Sequence, residues 1–339
     1  GYEVYVNTDM PDTERNRRRL IRFIAQEVRN ELNKSSGKAI PHFNKGSIAL
    51  ILKEAQRRAG RRGKLSLRLR ELGGLVRIAG DLAAEEGAEM TGPQHVTRAR
   101  MIAKPLEQQV ADRYLDRQAE YAMLVNSGNR VGRVNGLAVL GADSGLSDYS
   151  GVVLPVEAMV TPAQGMSGRV IATGGLSDLA NESVTNISAV VKKLTGKDIK
   201  DYDLHVQFPG THNVDGDSAS ITMATAIISA FEGVPIEQNL AMTGSLSVRG
   251  EILPVGGVTA KIEAAAKSGI ETVVIPRSNM QDVLMDEKWE KQVEVLPVDS
   301  LDEVLQHALV GAEEKVSLVE RLAKVIDTIS KGTDTQPSA

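Results

Sequence analysis

The sequence of 339 residues contains no cysteine and few aromatic residues, and both shortages exclude classes of protein. Without cysteine there is no disulfide framework, no thiol nucleophile and no cysteine-ligated zinc or iron–sulfur site. Aromatic residues make up only 3% of the chain, which argues against platforms that stack nucleobases. The sequence also lacks any run of about 18 apolar residues, so it predicts no membrane-spanning helix.

Motifs that would identify an activity at once are also missing. The sequence has no phosphate-binding G-x-x-x-x-G-K-[ST] loop, no dinucleotide-binding G-x-G-x-x-G, no H-E-x-x-H zinc helix and no G-x-S-x-G nucleophile elbow. The five histidines do not stand at metal-ligand spacing. The sequence therefore predicts neither a nucleotide-binding loop nor a metal site of its own.

Charge divides the chain into two regions. Residues 1–118 carry 23 Lys and Arg against 15 Asp and Glu, whereas residues 119–339 carry 17 against 29. A basic region followed by an acidic region with a different sequence pattern predicts two domains. We predict a first domain over residues 1–118 and a second over 119–312, followed by a C-terminal helix and a disordered tail over 313–339.

The first region has the pattern of an all-α bundle. Apolar residues at helical spacing predict four helices, at residues 12–32, 44–60, 66–78 and 93–121. The opening residues 1–6 have the pattern of a strand already under way, so we expect the chain to be cut from a longer one.

A dense basic segment covers the end of the second predicted helix and the turn after it, at residues 57–64 (R-R-A-G-R-R-G-K). Such a cluster can contact the phosphates of a nucleic acid or a nucleotide. It can also be a solvated helix end and turn, where basic residues suit the helix dipole. Because no aromatic residues are interleaved, we favour the second interpretation.

The second region alternates strands and helices, which predicts an α/β domain. Residues 242–257 have the pattern of a hairpin with its turn at residues 249–251. We predict strands at residues 131–134, 136–140, 151–156, 169–173, 203–208, 240–252, 272–275 and 293–298. We predict helices at residues 179–194, 218–232, 259–268 and 299–308.

Ser218 lies in the segment V-D-G-D-S-A-S at residues 214–220, between a predicted strand and a helix of small and apolar residues. Free backbone N–H groups gather at a helix start and favour negative charge there. An oxyanion on an acyl group held by Ser218 would be stabilised at such a place. The alternative is an ordinary Asp/Ser helix cap.

Lys261 lies in the first turn of a helix that follows the glycine turn at residues 254–257. A lysine desolvated there would have a lowered pKa, as a general base needs near neutral pH. The alternative is a lysine that extends to solvent. Together, Ser218 and Lys261 can form a nucleophile–base pair, and a Ser-His-Asp triad using His205 or His212 is the competing arrangement.

These two segments resemble the proteolytic domain of Lon proteases. D-G-D-S-A-S at residues 215–220 is similar to the archaeal form of the nucleophile motif, and G-G-V-T-A-K at residues 256–261 to the lysine motif. The segment 242–250 (M-T-G-S-L-S-V-R-G) is similar to the strand and hairpin between them. The spacing of 43 residues from Ser218 to Lys261 also matches the family. The resemblance extends over residues 126–308.

The resemblance implies an ATP-dependent serine endopeptidase that degrades unfolded or misfolded proteins. It implies Ser218 as nucleophile, Lys261 as general base, Thr243 as the hydroxyl that orients them and Asp215 as an acidic residue beside them. Archaeal members commonly carry an acidic residue earlier in the loop, where this chain reads T-H-N at residues 211–213. The fold implied is an all-α AAA+ lid followed by an α/β Lon-type proteolytic domain.

The first region resembles the helical lid of an AAA+ ATPase, in which the segment 67–75 is similar to the sensor-2 helix. Arg70, or secondly Arg68, would then approach the nucleotide. ATP with Mg would be bound mainly by an upstream core, and peptide-bond chemistry would need no cofactor. The resemblance implies a hexameric ring in the cytoplasm, at the inner membrane face if the full-length chain has the family's membrane segments. The alternative is a catalytically silent assembly or nucleic-acid-binding module, with non-specific DNA binding through the basic region.

Overall fold

The structure is a computed structural model in which the chain forms two compact units. The first comprises Gly1–Val110 with Gln281–Met285, and the second comprises Ala111–Leu140, Ser150–Met280 and the residues from 286 onward. The predicted domain boundaries at residues 118 and 312 stay predictions. The structure describes residues 2, 4, 6–32, 39–104, 106–121, 123–140, 150–163, 168–173, 187, 189–191, 201–209 and 217–311.

Over its described residues, the first unit consists of helices and a short antiparallel strand pair. Strand β1 (Asp9–Pro11) pairs with β2 (Lys64–Ser66). The helices are α1 (Glu14–Leu32), α2 (Lys45–Ala59), α3 (Leu69–Glu85), α4 (Pro93–Ile102) and α5 (Leu106–Glu120), the last of which begins in this unit and continues into the second.

The start and end of α2 lie where the sequence predicts them, at residues 44–60. Asn44 caps α2 by accepting a backbone hydrogen bond at 3.0 Å, and Gly60 ends it with φ 65°. The predicted apolar stripe of α1 is buried at Leu20, Ile24 and Val28. Ile24 and Val28 share one core with buried residues of the other helices: Ile51, Leu75, Val76, Val96 and Ala99.

Two predictions for the first unit are wrong. The helix predicted from residue 93 to 121 is divided into α4 and α5, with Pro105 in the gap between them. Proline lacks the N–H that a helix interior needs and clashes with the preceding turn. The strand predicted at residues 1–6 is also wrong for the described residues Tyr2, Val4 and Val6, which are exposed and pair with no strand.

The second unit is organised around a mixed seven-stranded sheet, counted over the described residues. Its strands are β4 (Arg133–Leu140), β5 (Ser150–Pro162), β6 (Val170–Thr173), β7 (Tyr202–Gln207), β9 (Leu240–Met242), β12 (Thr272–Pro276) and β13 (Glu294–Val298). The order across the sheet is β13-β12-β9-β4-β5-β7-β6, with β4–β5 and β5–β7 antiparallel and the other pairs parallel. Short pairs join β3 (Asn129–Arg130) to β8 (Ile236–Glu237) and β10 (Ser245–Leu246) to β11 (Ile252–Leu253).

The helix that follows Ser218 and the helix that contains Lys261 pack on opposite faces of this sheet. Gly136 on β4 lies against Thr222 of α6 (Ser220–Glu232), whereas Gly151 on β5 lies against Ala260 of α7 (Val258–Lys267). Gly136 pairs with Leu154 of β5 in an unbroken register. Because side chains alternate along a strand, position 151 faces away from position 154 and from α6. Further helices within the described residues are a 3-10 helix (Arg277–Asp282), α8 (Glu287–Glu290) and α9 (Leu301–Ala308), and residues 187 and 189–191 are also helical.

Most predictions for the second unit are confirmed, including the alternation of strands and helices and the hairpin. Ser245 pairs with Leu253 across β10 and β11, so the turn contains the predicted residues 249–251. The single strand predicted over residues 240–252 is wrong, because β9, β10 and β11 divide it. Most of the helix predicted at residues 179–194 and all of the tail at 313–339 lie outside the described residues.

Candidate active site

Lys261 is buried inside the second unit. It is the fourth residue of α7, whose start is formed by Gly257 with φ 68°, and the Lys261 N–H donates to the Gly257 carbonyl at 3.0 Å. The side chain is only 1% exposed, and its ammonium Nζ donates to Thr243 Oγ1 at 3.0 Å. The interpretation that this lysine extends to solvent is therefore wrong.

Burial changes the acid–base chemistry of this lysine. Loss of hydration lowers the pKa of Lys261 to about 8, because the charged form is penalised away from water. The carboxylate of Asp217 opposes this shift and favours the charged form. A lysine with this pKa has a substantial neutral fraction near neutral pH, which a general base requires.

Thr243 connects the lysine to the loop that carries the serine. It follows β9 directly, is fully buried, and its N–H donates to Val274 of β12 at 3.1 Å. Its hydroxyl donates to the carbonyl oxygen of Ser218 at 3.1 Å while it accepts from Lys261. The hydroxyl therefore bridges the two residues that the sequence predicts to be nucleophile and base.

Ser218 lies just before α6 and is partly exposed. Its carbonyl oxygen also accepts a hydrogen bond from the N–H of Gly244 at 2.9 Å. Over the described residues, no hydrogen bond joins Ser218 Oγ to Lys261 Nζ, and the lysine donates to Thr243 Oγ1. The structure thus brings the serine, threonine and lysine together through the backbone of Ser218.

Further contacts tie the Ser218 loop to the hairpin. The hydroxyl of Ser245 donates to Asp217 Oδ2 at 2.5 Å, and the hydroxyl of Ser220 donates to the Asp217 carbonyl at 2.6 Å. The N–H of Leu246 donates to Ser220 Oγ at 2.7 Å. Sequence reasoning missed Asp217 and Ser245, although the first stands in the D-G-D-S motif and the second in the T-G-S segment.

The structure decides some of the alternatives for the serine segment and leaves others as predictions. The helix-cap interpretation is wrong, because α6 has Ala219 at its cap position without a side-chain hydrogen bond. His205 lies on β7 opposite Met159, and within the described part of the chain it makes no hydrogen bond to Ser218. Asp215 and His212 lie outside the described residues, so their roles stay predictions.

In the first unit, a buried glutamate forms ion pairs with arginines of the basic segment. Glu54 is only 3% exposed, and its carboxylate binds Arg57 at 3.0 Å, Arg58 at 2.8 Å and Arg100 at 3.2 Å. Although burial alone would raise it, these arginines lower the pKa of Glu54 to about 2. Lys64 binds Asp9 at 2.9 Å. Residues 60–63 form an exposed turn after the end of α2, as the favoured interpretation predicts, whereas Arg57, Arg58 and Lys64 are engaged by carboxylates.

The predicted nucleotide-contacting arginines lie at the start of α3. Arg70 is exposed on its first turn, and Arg68 stands at the cap position. The Nη1 atom of Arg68 is buried with no hydrogen-bond partner over the described residues. The choice between the two arginines stays a prediction.

The described ranges contain neither a candidate metal site nor a candidate membrane span. No group of three or more His, Asp or Glu side chains there could hold a metal ion. None of the helices described combines the length and the apolar character needed to cross a membrane.

A serine near a helix start with a buried lysine beside it is typical of hydrolases in which lysine replaces histidine as the base. Comparison with known families agrees with this class. The Lon protease (S16) C-terminal proteolytic domain matches residues 106–311, and the archaeal LonB AAA+ ATPase lid domain matches residues 42–101. The chain belongs to the Lon protease family, with an AAA+ lid followed by an α/β proteolytic domain.

Curated relatives named "Archaeal Lon protease" extend the similarity over nearly the whole chain. The relative from Archaeoglobus fulgidus is 53% identical over 327 residues, which cover 96% of this chain and 51% of that protein. The relative from Thermoplasma acidophilum is 52% identical over 329 residues, covering 96% and 49%. The relative from Methanocaldococcus jannaschii is 32% identical over 342 residues, covering 90% and 50%. The chain thus spans about half the length of the curated relatives it matches.

Proposed function

We propose that this chain carries the peptidase chemistry of an ATP-dependent serine endopeptidase that degrades unfolded or misfolded proteins. The observation that supports it most directly is the buried ammonium of Lys261, which donates to Thr243, whose hydroxyl in turn donates to Ser218. The names of the curated relatives agree with this activity.

In the proposed mechanism, Ser218 attacks the scissile carbonyl of a polypeptide. Neutral Lys261 takes the Ser218 proton as the bond forms, and the N-terminal end of α6 favours the negative charge that develops. The resulting ammonium returns a proton to the leaving amine, and an acyl-enzyme on Ser218 remains. Water, deprotonated by Lys261, then hydrolyses the acyl-enzyme. Thr243 orients the lysine, and Asp215 is the acidic group proposed beside the pair.

Before this attack, the Ser218 hydroxyl has to approach Lys261. The direct hydrogen bond is absent from the described contacts, and Lys261 is held by Thr243 instead. Catalytic hydrogen bonds often tighten only when substrate is bound. The proposal therefore includes a rearrangement in which Ser218 Oγ comes within hydrogen-bonding distance of Lys261 Nζ.

ATP is proposed to act in the longer protein rather than in peptide-bond chemistry. This sequence has no phosphate-binding loop, so ATP and Mg would be bound mainly by an upstream core. Arg70 would reach the nucleotide from the lid, with Arg68 as the second choice. We also propose a hexameric ring, located in the cytoplasm or, if the longer chain carries membrane segments, at the inner face of the membrane.

The direct test is cleavage of an unstructured protein and of a fluorogenic peptide by the chain, with its oligomeric mass measured in parallel. We expect cleavage by the wild type and none by Ser218→Ala or Lys261→Ala, with circular dichroism unchanged. Lys267→Ala is the matched control, because this lysine lies on the same helix and makes only a partly exposed ion pair with Asp112. Full cleavage by either active-site variant would refute the dyad.

The alternative is a catalytically silent assembly or nucleic-acid-binding module. Arg57, Arg58 and Lys64 of the basic segment already bind carboxylates inside the first unit, which disfavours this alternative. Strongly salt-dependent binding of duplex DNA, without cleavage at any oligomeric mass, would support it instead.

A further inference from the structure

Gly151 lies at a point where the sheet and the helix carrying Lys261 approach each other backbone to backbone. A Cβ atom built on Gly151 would lie 2.5 Å from the carbonyl carbon of Ala260 and 2.9 Å from the nitrogen of Lys261, and it would also overlap the Ala260 carbonyl oxygen. These atoms belong to a hydrogen-bonded helix, so they cannot turn aside as a flexible side chain can. Only glycine leaves room for this approach.

Gly136, whose missing side chain faces the opposite side of the sheet, is enclosed less tightly. There a Cβ would lie 3.2 Å from the Leu154 carbonyl oxygen and 3.2 Å from Thr222 Cγ2. That contact is tight, but a small shift relieves it. At Gly151 the helix itself would have to move away from β5.

Such a movement would act directly on the lysine. The close contact involves the peptide unit between Ala260 and Lys261, so displacement of this backbone displaces the lysine side chain. The hydrogen bond from Lys261 Nζ to Thr243 Oγ1 is 3.0 Å long, and such bonds usually span about 2.7–3.2 Å, so a displacement of about 1 Å would break it. The packing of α7 against β5 therefore determines the position of the Lys261 side chain in the site.

We propose that Gly151 is a positioning residue for Lys261: its missing side chain lets α7 pack directly on β5 and so holds the lysine within hydrogen-bonding distance of Thr243. This inference rests on the proposed peptidase function. Gly151 touches neither substrate nor the reacting atoms, and it acts only through the helix.

The test is Gly151→Ala, with peptide cleavage measured as separate kcat and KM values across pH. We expect kcat to fall by about 100-fold, the size of effect associated with a misplacement of about 1 Å, with little change in KM. The lower limb of the kcat–pH profile should also move to higher pH. The pKa of Lys261 would rise towards its ordinary value as burial is lost and Asp217 remains as the facing carboxylate. A folded variant with wild-type kcat and pH profile would overturn the proposal.

A second pair of variants keeps the test decisive if Gly151→Ala does not fold. Val153 shares the face of β5 with Gly151, whereas Val156 points to the opposite face and lies farther along the strand. Both are fully buried, so isoleucine adds the same methylene group at each position. We expect Val153→Ile to lower kcat several-fold and Val156→Ile to leave it near wild type, whereas equal effects at the two positions would refute the inference.

Failure of this inference is distinguishable from failure of the proposed function. If Ser218→Ala and Lys261→Ala are inactive but the Gly151 and Val153 variants cleave as the wild type does, only the positioning role is wrong. If Ser218→Ala cleaves normally, the proposed function itself is wrong.

Discussion

Glu54 in the first unit and Lys261 in the second are both buried charged side chains, and their surroundings act on their charge in opposite ways. Glu54 is surrounded by Arg57, Arg58 and Arg100, and its pKa is lowered to about 2. Lys261 is hydrogen-bonded to a neutral hydroxyl, and its pKa is lowered to about 8. The carboxylate is held in its charged form, whereas the ammonium is driven towards its neutral form. Full compensation is typical of structural groups, and incomplete compensation is typical of a functional one.

The largest expected effect comes from replacing Lys261 by a neutral side chain of similar length. Lys261→Met should lower kcat for peptide cleavage by about 100-fold to 10,000-fold, the usual contribution of a general base. It should also raise the free energy of unfolding by up to about 3 kcal/mol, because it removes the penalty that lowers the lysine pKa. Lys267→Met on the same helix is the control for both measurements. A less stable Lys261→Met variant would contradict the comparison.

The second largest effect is a loss of stability when Glu54 is replaced, opposite in sign to the gain expected at Lys261. Glu54→Gln should lower the free energy of unfolding of the first unit by about 3–5 kcal/mol, since it leaves three arginine charges close together without the carboxylate between them. Hydrogen exchange of the α2 amides measures this. Glu14→Gln is a matched control, because Glu14 forms an exposed pair with Arg18 at the same i,i+4 spacing. Equally small losses from both variants would show that the buried network contributes little.

The third effect is on pH dependence, and the two groups again differ. Cleavage should rise about tenfold per pH unit up to about pH 8, because the neutral fraction of Lys261 rises with pH through its pKa. Since the folded-state pKa of Glu54 is depressed, its stabilisation is complete above about pH 4.5 and is lost as pH falls towards about 2. A cleavage profile and an unfolding series over these ranges measure the two. Cleavage that is constant from pH 6 to pH 9 would exclude Lys261 as the base.

The smallest effect expected concerns Thr243. Thr243→Val removes the hydroxyl that accepts from Lys261 and donates to Ser218, which should lower kcat by about 10-fold to 100-fold, or about 1–3 kcal/mol. Thr225→Val is the control, because Thr225 is equally buried and donates only to Ile221 within α6. Equal losses of kcat in the two variants would mean that Thr243 acts only through stability.

Short motifs made it possible to predict from the sequence that three residues of the candidate site lie close together. Ser218, Thr243 and Lys261 stand in short segments with a specific spacing, and the structure brings them together. The division of the fourth predicted helix was also readable, since Pro105 was visible in the sequence.

The rest depends on contacts between distant segments. Gly151 shows no local signal, because its requirement for glycine comes from the backbone of α7 rather than from its own conformation. The contact of Ser245 with Asp217 likewise joins two loops. Glu54 lies three and four residues before two of its arginines, so part of that network could have been inferred from helical spacing.

The placement of the two helices has a consequence for when the proposed activity can exist. Ser218 precedes a helix on one face of the sheet, and Lys261 belongs to a helix on the other, so they meet only where β9 and Thr243 are in place between them. A growing or partly unfolded chain then contains a serine and a lysine but no site. A protease with this arrangement would be unable to cleave itself or its neighbours until its own sheet had formed.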